Sequence, residues 1–335
     1  MLPCRRTSPL RNSSSPVYLP PAETSNVTIR RRSVKFYSRR RVADSVAIIA
    51  LLLACGLSGC GDAKRLHPAD VRVVLDATGT PVVVPRDVRR IVTTVPGLTA
   101  LVVALGAGDR LVAVSAPEKA LGPMASLPRV PVYPVIPAET IANLAPDLLL
   151  IDPTLSPRDL APLRARFPVT FASDSRTLDG LATTFLRVGA ALGREAAAER
   201  LVDELDAARR DAKAPGSPLV LLLSWAEPPS VIALGPGSLL DDMLRSIGGR
   251  NVFADLGRPS GPIPSEMVVS RAPAFIVTTG GTVTDDLRAR WQSVPAIRDG
   301  RVIDAGDDDF VRAGPRTAYA LRRLARLLTP EAAHK

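Results

Sequence analysis

The chain has 335 residues, 43 Lys+Arg against 33 Asp+Glu, a formal net charge of +10, two His and three Cys. With 46% hydrophobic residues it can fill two lobes of ordinary size, which excludes wholesale disorder. His67 and His334 lie near the ends of the folded part, which excludes a buried multi-His metal centre. Residues 1–59 hold 10 basic and 2 acidic residues, leaving 33 against 31 for the rest. The excess charge therefore belongs to a leader, and a nucleic-acid partner is not implied.

Within that leader, Arg30-Arg31-Arg32, Lys35 and Arg39-Arg40-Arg41 precede the apolar stretch 46–57. The stretch is well short of the roughly 20 residues that span a bilayer as a helix. A basic flank, a short apolar centre and small residues at its end describe an export signal. The ending Leu57-Ser58-Gly59-Cys60 resembles a bacterial lipobox, in which Cys60 would be acylated and become the mature N-terminus. Acyl chains contribute roughly 0.8 kcal/mol per buried CH₂, so a multiply acylated Cys60 would hold the protein on the membrane. Cys4 and Cys55 fall in the leader, so the mature chain has no internal disulfide to form and relies on packing.

Residues 60–70 form a polar tether. Val71–Leu75 and Val82–Val84 predict a hairpin about Asp76-Ala-Thr-Gly79. Strands are predicted at Ile91–Thr94, Leu111–Val114, Leu148–Ile151 and Val169–Phe171. Helices at Leu98–Leu105, Ala138–Asn143 and Pro157–Arg166 alternate with them. The alternation implies parallel pairing with both sheet faces covered. Two helices follow, Leu178–Leu192 and Arg194–Ala212, parted at Gly193; the second carries the stripe Leu201, Val202, Leu205, Ala208. A fresh α/β series then runs through strands at Leu219–Leu223, Val231-Ile232, Phe275–Thr278 and Arg301–Ile303. Its helices are Leu239–Ile247, Glu266–Ser270, Asp285–Trp291 and Arg316–Leu328. The expected architecture is an N-terminal lobe (71–192), a backbone helix (193–214) and a C-terminal lobe (215–330).

An internal echo supports two equivalent lobes. The stretch from Pro137 through Glu139 and Pro146 to Leu150 has the same layout as that from Pro264 through Glu266 and Pro273 to Val277. Each reads Pro, Glu two places on, a short apolar helix, a helix-ending Pro and a buried strand. One acidic residue would then stand at the same corner of each lobe.

The Glu266 segment, together with Asp76-Ala-Thr-Gly79 and Val82-Val-Val-Pro85, Arg90-Ile-Val-Thr-Thr-Val-Pro96, Ala104–Val114, Ser238–Asp255 and Val294–Val302, resembles the periplasmic substrate-binding proteins of ABC importers for cobalamin, siderophores and haem. The likeness covers nearly all of 71–330 and is most like the vitamin B12 binders. It implies a class III binding-protein fold: α/β, with two Rossmann-like lobes joined by a single long backbone helix and a ligand gripped between them. It also implies that Glu139 and Glu266 dock into a permease coupled to its ATPase. The sequence departs from many relatives at Leu98-Thr-Ala100, where Thr-Glu is common.

The same resemblance places Tyr133, Trp225, Asp308, Phe310 and Arg312 in the ligand cleft. Aromatic faces suit a flat macrocycle, contributing roughly 1.5–3 kcal/mol each when covered; Asp308 and Arg312 would bond its polar side groups. Trp291, inside a helix, reads as core. Asp152 and Ser260 stand where cobalamin binders often place Trp. Haem is the alternative ligand, with Tyr133 as axial partner, and ferric siderophores are a third, drawing on Arg129, Arg258, Arg312 and Arg316. No resident cofactor or metal is expected; the cargo is a metal chelate. The protein is expected to be a lipid-anchored monomer in the periplasm or on the outer face of the cell membrane.

An enzyme is the competing class. Gly106-Ala-Gly108 follows a helix rather than opening one, and no Gly-x-Ser-x-Gly elbow, His-Glu-x-x-His motif or intralobe His is present. Asp241 and Asp242 are adjacent on a predicted helix and face different ways, which is poor for acid–base work. The sequence therefore predicts a binding protein, not an enzyme.

Overall fold

The computed structural model describes residues 68–329 except 117–121, 132–135, 153–156, 168, 228–229, 281–282, 307–309 and 311. The leader, Cys60, Tyr133 and Asp308 lie outside the described residues. Strands β1 (Val71–Leu75) and β2 (Pro81–Pro85) form the expected antiparallel hairpin, Val71 opposite Pro85 and Leu75 opposite Pro81. Its turn closes on Asp76, whose carboxylate is fully buried. Oδ1 accepts from Thr78 N (2.9 Å), Thr78 Oγ1 (2.7 Å) and Thr80 N (3.0 Å). Oδ2 accepts from Ala172 N (3.3 Å) and from the Arg164 guanidinium. The hairpin is thereby tied to the first lobe by a buried ion pair.

That lobe runs β3 (Ile91–Thr93), α1 (Pro96–Ala104), β4 (Leu111–Ser115), β5 (Arg129–Val130), α2 (Ala138–Leu144), β6 (Leu148–Ile151), α3 (Pro157–Arg166) and β7 (Thr170–Ala172). The sheet is parallel throughout, in the order β5-β4-β3-β6-β7. All four residues of β6 are buried, as a strand covered on both faces requires. Strand order reverses between β3 and β6, which opens a crevice at their carboxyl ends, the usual ligand position in such sheets.

Two helices join the lobes: α4 (Leu178–Leu192) and α5 (Glu195–Asp211). Thr177 caps α4 by accepting from Gly180 N at 3.0 Å, and Gly193, at φ 66°, ends it. The 17 residues of α5 make a rod of about 25 Å. This is the expected connecting helix, and α4 shares the bridging. It packs on β1 of the first lobe and on α6 (Leu239–Ser246) of the second, where Asp242 Oδ2 accepts from Leu178 N at 2.8 Å.

The second lobe comprises β8 (Leu219–Glu227), β9 (Ser230–Leu234), α6, β10 (Arg250–Asn251), β11 (Ser260–Pro262), α7 (Ser265–Arg271), β12 (Phe275–Thr278), α8 (Asp285–Arg290), α9 (Pro295–Arg298), β13 (Val302–Asp304) and α10 (Thr317–Leu327). Sheet order is β11-β9-β8-β12-β13, with β10 beside the start of β8. β12 and β13 lie parallel to β8, whereas β9 and β11 form an antiparallel edge. The antiparallel edge arises because β8 and β9 are joined by so short a link that the chain must fold straight back.

α5 packs on α10. One apolar cluster threads the whole assembly: Leu150 and Phe171 from the first lobe, Phe185 and Leu205 from α4 and α5, and Leu222, Val277 and Leu321 from the second. Among the described residues no helix is long and apolar enough to cross a membrane.

Candidate functional site

A cavity of about 250 Å³ lies where the two lobes meet. The first lobe contributes Val95, Pro96, Gly97 and Leu98 after β3, Asp152 after β6 and Ser175 after β7. The first two sets follow the strands that flank the order reversal, and Ser175 follows the neighbouring edge strand. α4 lends Leu181, Thr184 and Phe185; the second lobe closes the cavity with Leu239 at the start of α6 and with Phe310, Arg312 and Ala313. The lining is mainly apolar, with Asp152 and Arg312 as its charged members. Ser175 Oγ donates to Asp152 Oδ2 at 3.3 Å, and Thr184 Oγ1 donates to the Asp174 carbonyl at 2.9 Å. α1 enters with Pro at its first position, where a missing N–H costs nothing.

Of the residues expected to bind ligand, Phe310 and Arg312 line this cavity. Phe310 is 3% exposed, with the Arg323 guanidinium 5.1 Å from its ring centre, so its ring is held rigidly in the wall. Trp225 is not part of the cavity. It stands near the carboxyl end of β8, 43% exposed, beside Gly280. Burial covers Trp291 completely, as expected for core. Its indole N–H bonds Ser265 Oγ at 2.8 Å, which pins the first residue of α7. Pro96, Gly97, Ser175 and Leu239 were not anticipated. The available signal was their place just after predicted strands, or at the start of a predicted helix, facing the reversal point.

Glu139 and Glu266 are each the second residue of a short helix, both exposed and both outside the cavity. Their helices match in detail. Each buries one residue, Ile141 or Val268, and each ends on an alanine in the left-handed region, Ala145 (φ 42°) or Ala272 (φ 45°). Each is followed by Pro and by the strand that pairs with its lobe's first strand. The echo in the sequence is thus an echo in three dimensions. At the far end of α7, Arg271 pairs with Asp255 through both carboxylate oxygens (2.5 and 2.8 Å) and lies 4.3 Å from the Phe253 ring centre. The Arg271 guanidinium holds the Asp255 carboxyl below its ordinary value of 3.8.

An ABC transporter substrate-binding lipoprotein of Bacillus subtilis, YvrC, is 25% identical over 84% of this chain and 95% of its own length. A vitamin B12-binding protein of Vibrio cholerae is 30% identical over 73% of this chain and 90% of its own. Among solved structures, the periplasmic heme-binding protein RhuT from Roseiflexus sp. RS-1, in apo form, superposes with a TM-score of 0.63 at 27% identity. That match covers 74% of this chain and all of RhuT. Residues 91–308, from β3 past β13, match the periplasmic binding protein family. The chain belongs to that family, whose members are substrate-binding proteins of transport systems rather than enzymes.

Proposed function

We propose that the protein is the lipid-anchored substrate-binding component of an ABC importer, tethered through Cys60, that captures a metal chelate of the cobalamin kind and delivers it to the permease and its ATPase. The observation that supports this best is that both lobes converge on one mainly apolar cavity carrying Phe310 and Arg312. At about 250 Å³ the cavity falls below the roughly 300–1,000 Å³ of sites that enclose a drug-sized ligand. A broad macrocycle would seat one edge there and lie against the outer tips, where Trp225 offers an exposed aromatic face. Tyr133 and Asp308 would complete the cleft, as the resemblance implies. The 30% identity to a vitamin B12-binding protein favours a corrinoid. Haem is the second reading, favoured by the match to RhuT.

Titration calorimetry of the purified protein with cyanocobalamin, haemin and a ferric siderophore tests the assignment. Saturable binding of cyanocobalamin is the expected result. Binding of haemin alone would transfer the assignment to the second reading, and heat from none of the three would defeat both.

A further inference from the structure

The two lobes touch main chain to main chain at one place beside the cavity. Gly97, in the first turn of α1, and Gly314, just ahead of α10, are both buried. A Cβ on Gly97 would fall 1.8 Å from the Ala313 carbonyl oxygen and 2.9 Å from its carbon. One on Gly314 would fall 3.2 Å from the Gly97 carbonyl oxygen and 3.3 Å from Gly97 Cα. Neither glycine has a positive φ, so space rather than backbone conformation calls for glycine.

Both partners are rigidly mounted. Gly97 follows Pro96, whose ring fixes φ at the start of α1. Gly314 N donates to Thr317 Oγ1 at 3.1 Å, and Thr317 N donates back to the Gly314 carbonyl at 3.0 Å. Two stiff helix starts therefore abut, with no side chain between them to yield.

We infer that the Gly97–Gly314 junction is the stop that sets how far the cleft closes, and hence how tightly the ligand is retained. The inference rests on the cleft being the ligand site. With a Cβ at position 97, ordinary carbon–oxygen contact requires the lobes to part by about 1.5 Å at the junction. The obstacle is backbone, so no rotamer change relieves it.

The test compares Gly97→Ala with wild type by pulsed dipolar spectroscopy between spin labels carried on unnatural amino acids at Thr140 and Ser270. Both positions are exposed, one on each lobe, and the native cysteines stay in place. Gly249→Ala is the control: its Cβ would meet Leu244 Cδ1 at 2.2 Å inside the second lobe, away from the junction. The expected results are a longer label distance in Gly97→Ala, an unchanged distance in Gly249→Ala, and dissociation of cyanocobalamin or haemin about tenfold faster from Gly97→Ala only. An unchanged distance in Gly97→Ala, whatever its melting temperature, overturns the inference. If that variant does not fold, Gly314→Ala is read in the same way, with a smaller lengthening expected. If wild type binds neither probe, the ligand reading fails, while the label distance still decides whether the junction is a stop.

Discussion

Replacing Asp76 by Ala removes a buried carboxylate that ties the β1–β2 hairpin to the first lobe. The structure shows what is stranded. Thr78 and Thr80 lose the acceptor of their turn bonds, Ala172 N loses a partner, and the Arg164 guanidinium, 23% exposed, loses its counter-charge. Arg164 Nε is already buried without a hydrogen-bond partner, and its Nη2 would keep only a neutral acceptor, Thr78 Oγ1 at 2.9 Å. Removing one member of a buried ion pair costs about 3–5 kcal/mol. The partial exposure of Arg164 points to the lower half of that range. In a protein of this size such a loss lowers the melting temperature by about 6–16 °C. Urea unfolding and calorimetric melting measure both quantities. Asp76→Asn, which keeps a turn acceptor, should lose less, and Asp76→Ala with Arg164→Met should recover part of the loss because no charge is then orphaned. A loss below about 1 kcal/mol for Asp76→Ala, the level of an ordinary surface change, would refute this account of the hairpin.

Glu139→Ala and Glu266→Ala should each weaken, and together abolish, stimulation of the reconstituted transporter's ATPase. Ligand affinity by calorimetry should stay unchanged; lost affinity would place either residue in the cleft. Ala145→Gly and Ala272→Gly should each stabilise by up to about 1 kcal/mol, because relief of the left-handed penalty slightly exceeds the chain entropy that glycine adds; urea midpoints report this. The Asp255 carboxyl is depressed by Arg271, so its contribution is present above the ordinary value of 3.8 and is lost as pH falls through the lower folded value. The melting-temperature gap between wild type and Asp255→Asn should therefore be open at pH 7 and close in strong acid.

The elements of both lobes were legible because their signals are local. Buried runs such as Leu148–Ile151, caps such as Thr177 and Gly193, and prolines after helices mark them directly. Short pieces were missed: β5, β10 and β11 have two or three residues each and exist only because longer neighbours offer a free edge. The paired glutamates were legible because the repeat carries its own punctuation. The cavity was legible only in part. Phe310 and Arg312 came from the resemblance of their loop to the family's cleft loop, whereas Pro96, Gly97 and Leu239 are ordinary residues given meaning by where the strand order reverses. Trp225 came from the same resemblance, yet lies beyond the cavity: β8 runs two residues past it, which the sequence signal did not show. Asp76 read as part of a turn. Nothing local announces that Arg164, 88 positions away, completes it.

The single apolar cluster shared by both lobes and the two joining helices has a further consequence. Each lobe has a smaller cluster of its own, around Ile141 and Leu149 in the first and Leu221 and Trp291 in the second, but the shared one is left incomplete in either half: excising residues 71–192 would bare Phe185, Val188 and Leu192. Heating should therefore give one cooperative transition rather than two, and fragments cut between α4 and α5 should be unable to fold alone yet able to reassemble when mixed. The corner bearing each glutamate occurs twice, yet the two lobes share their main interior.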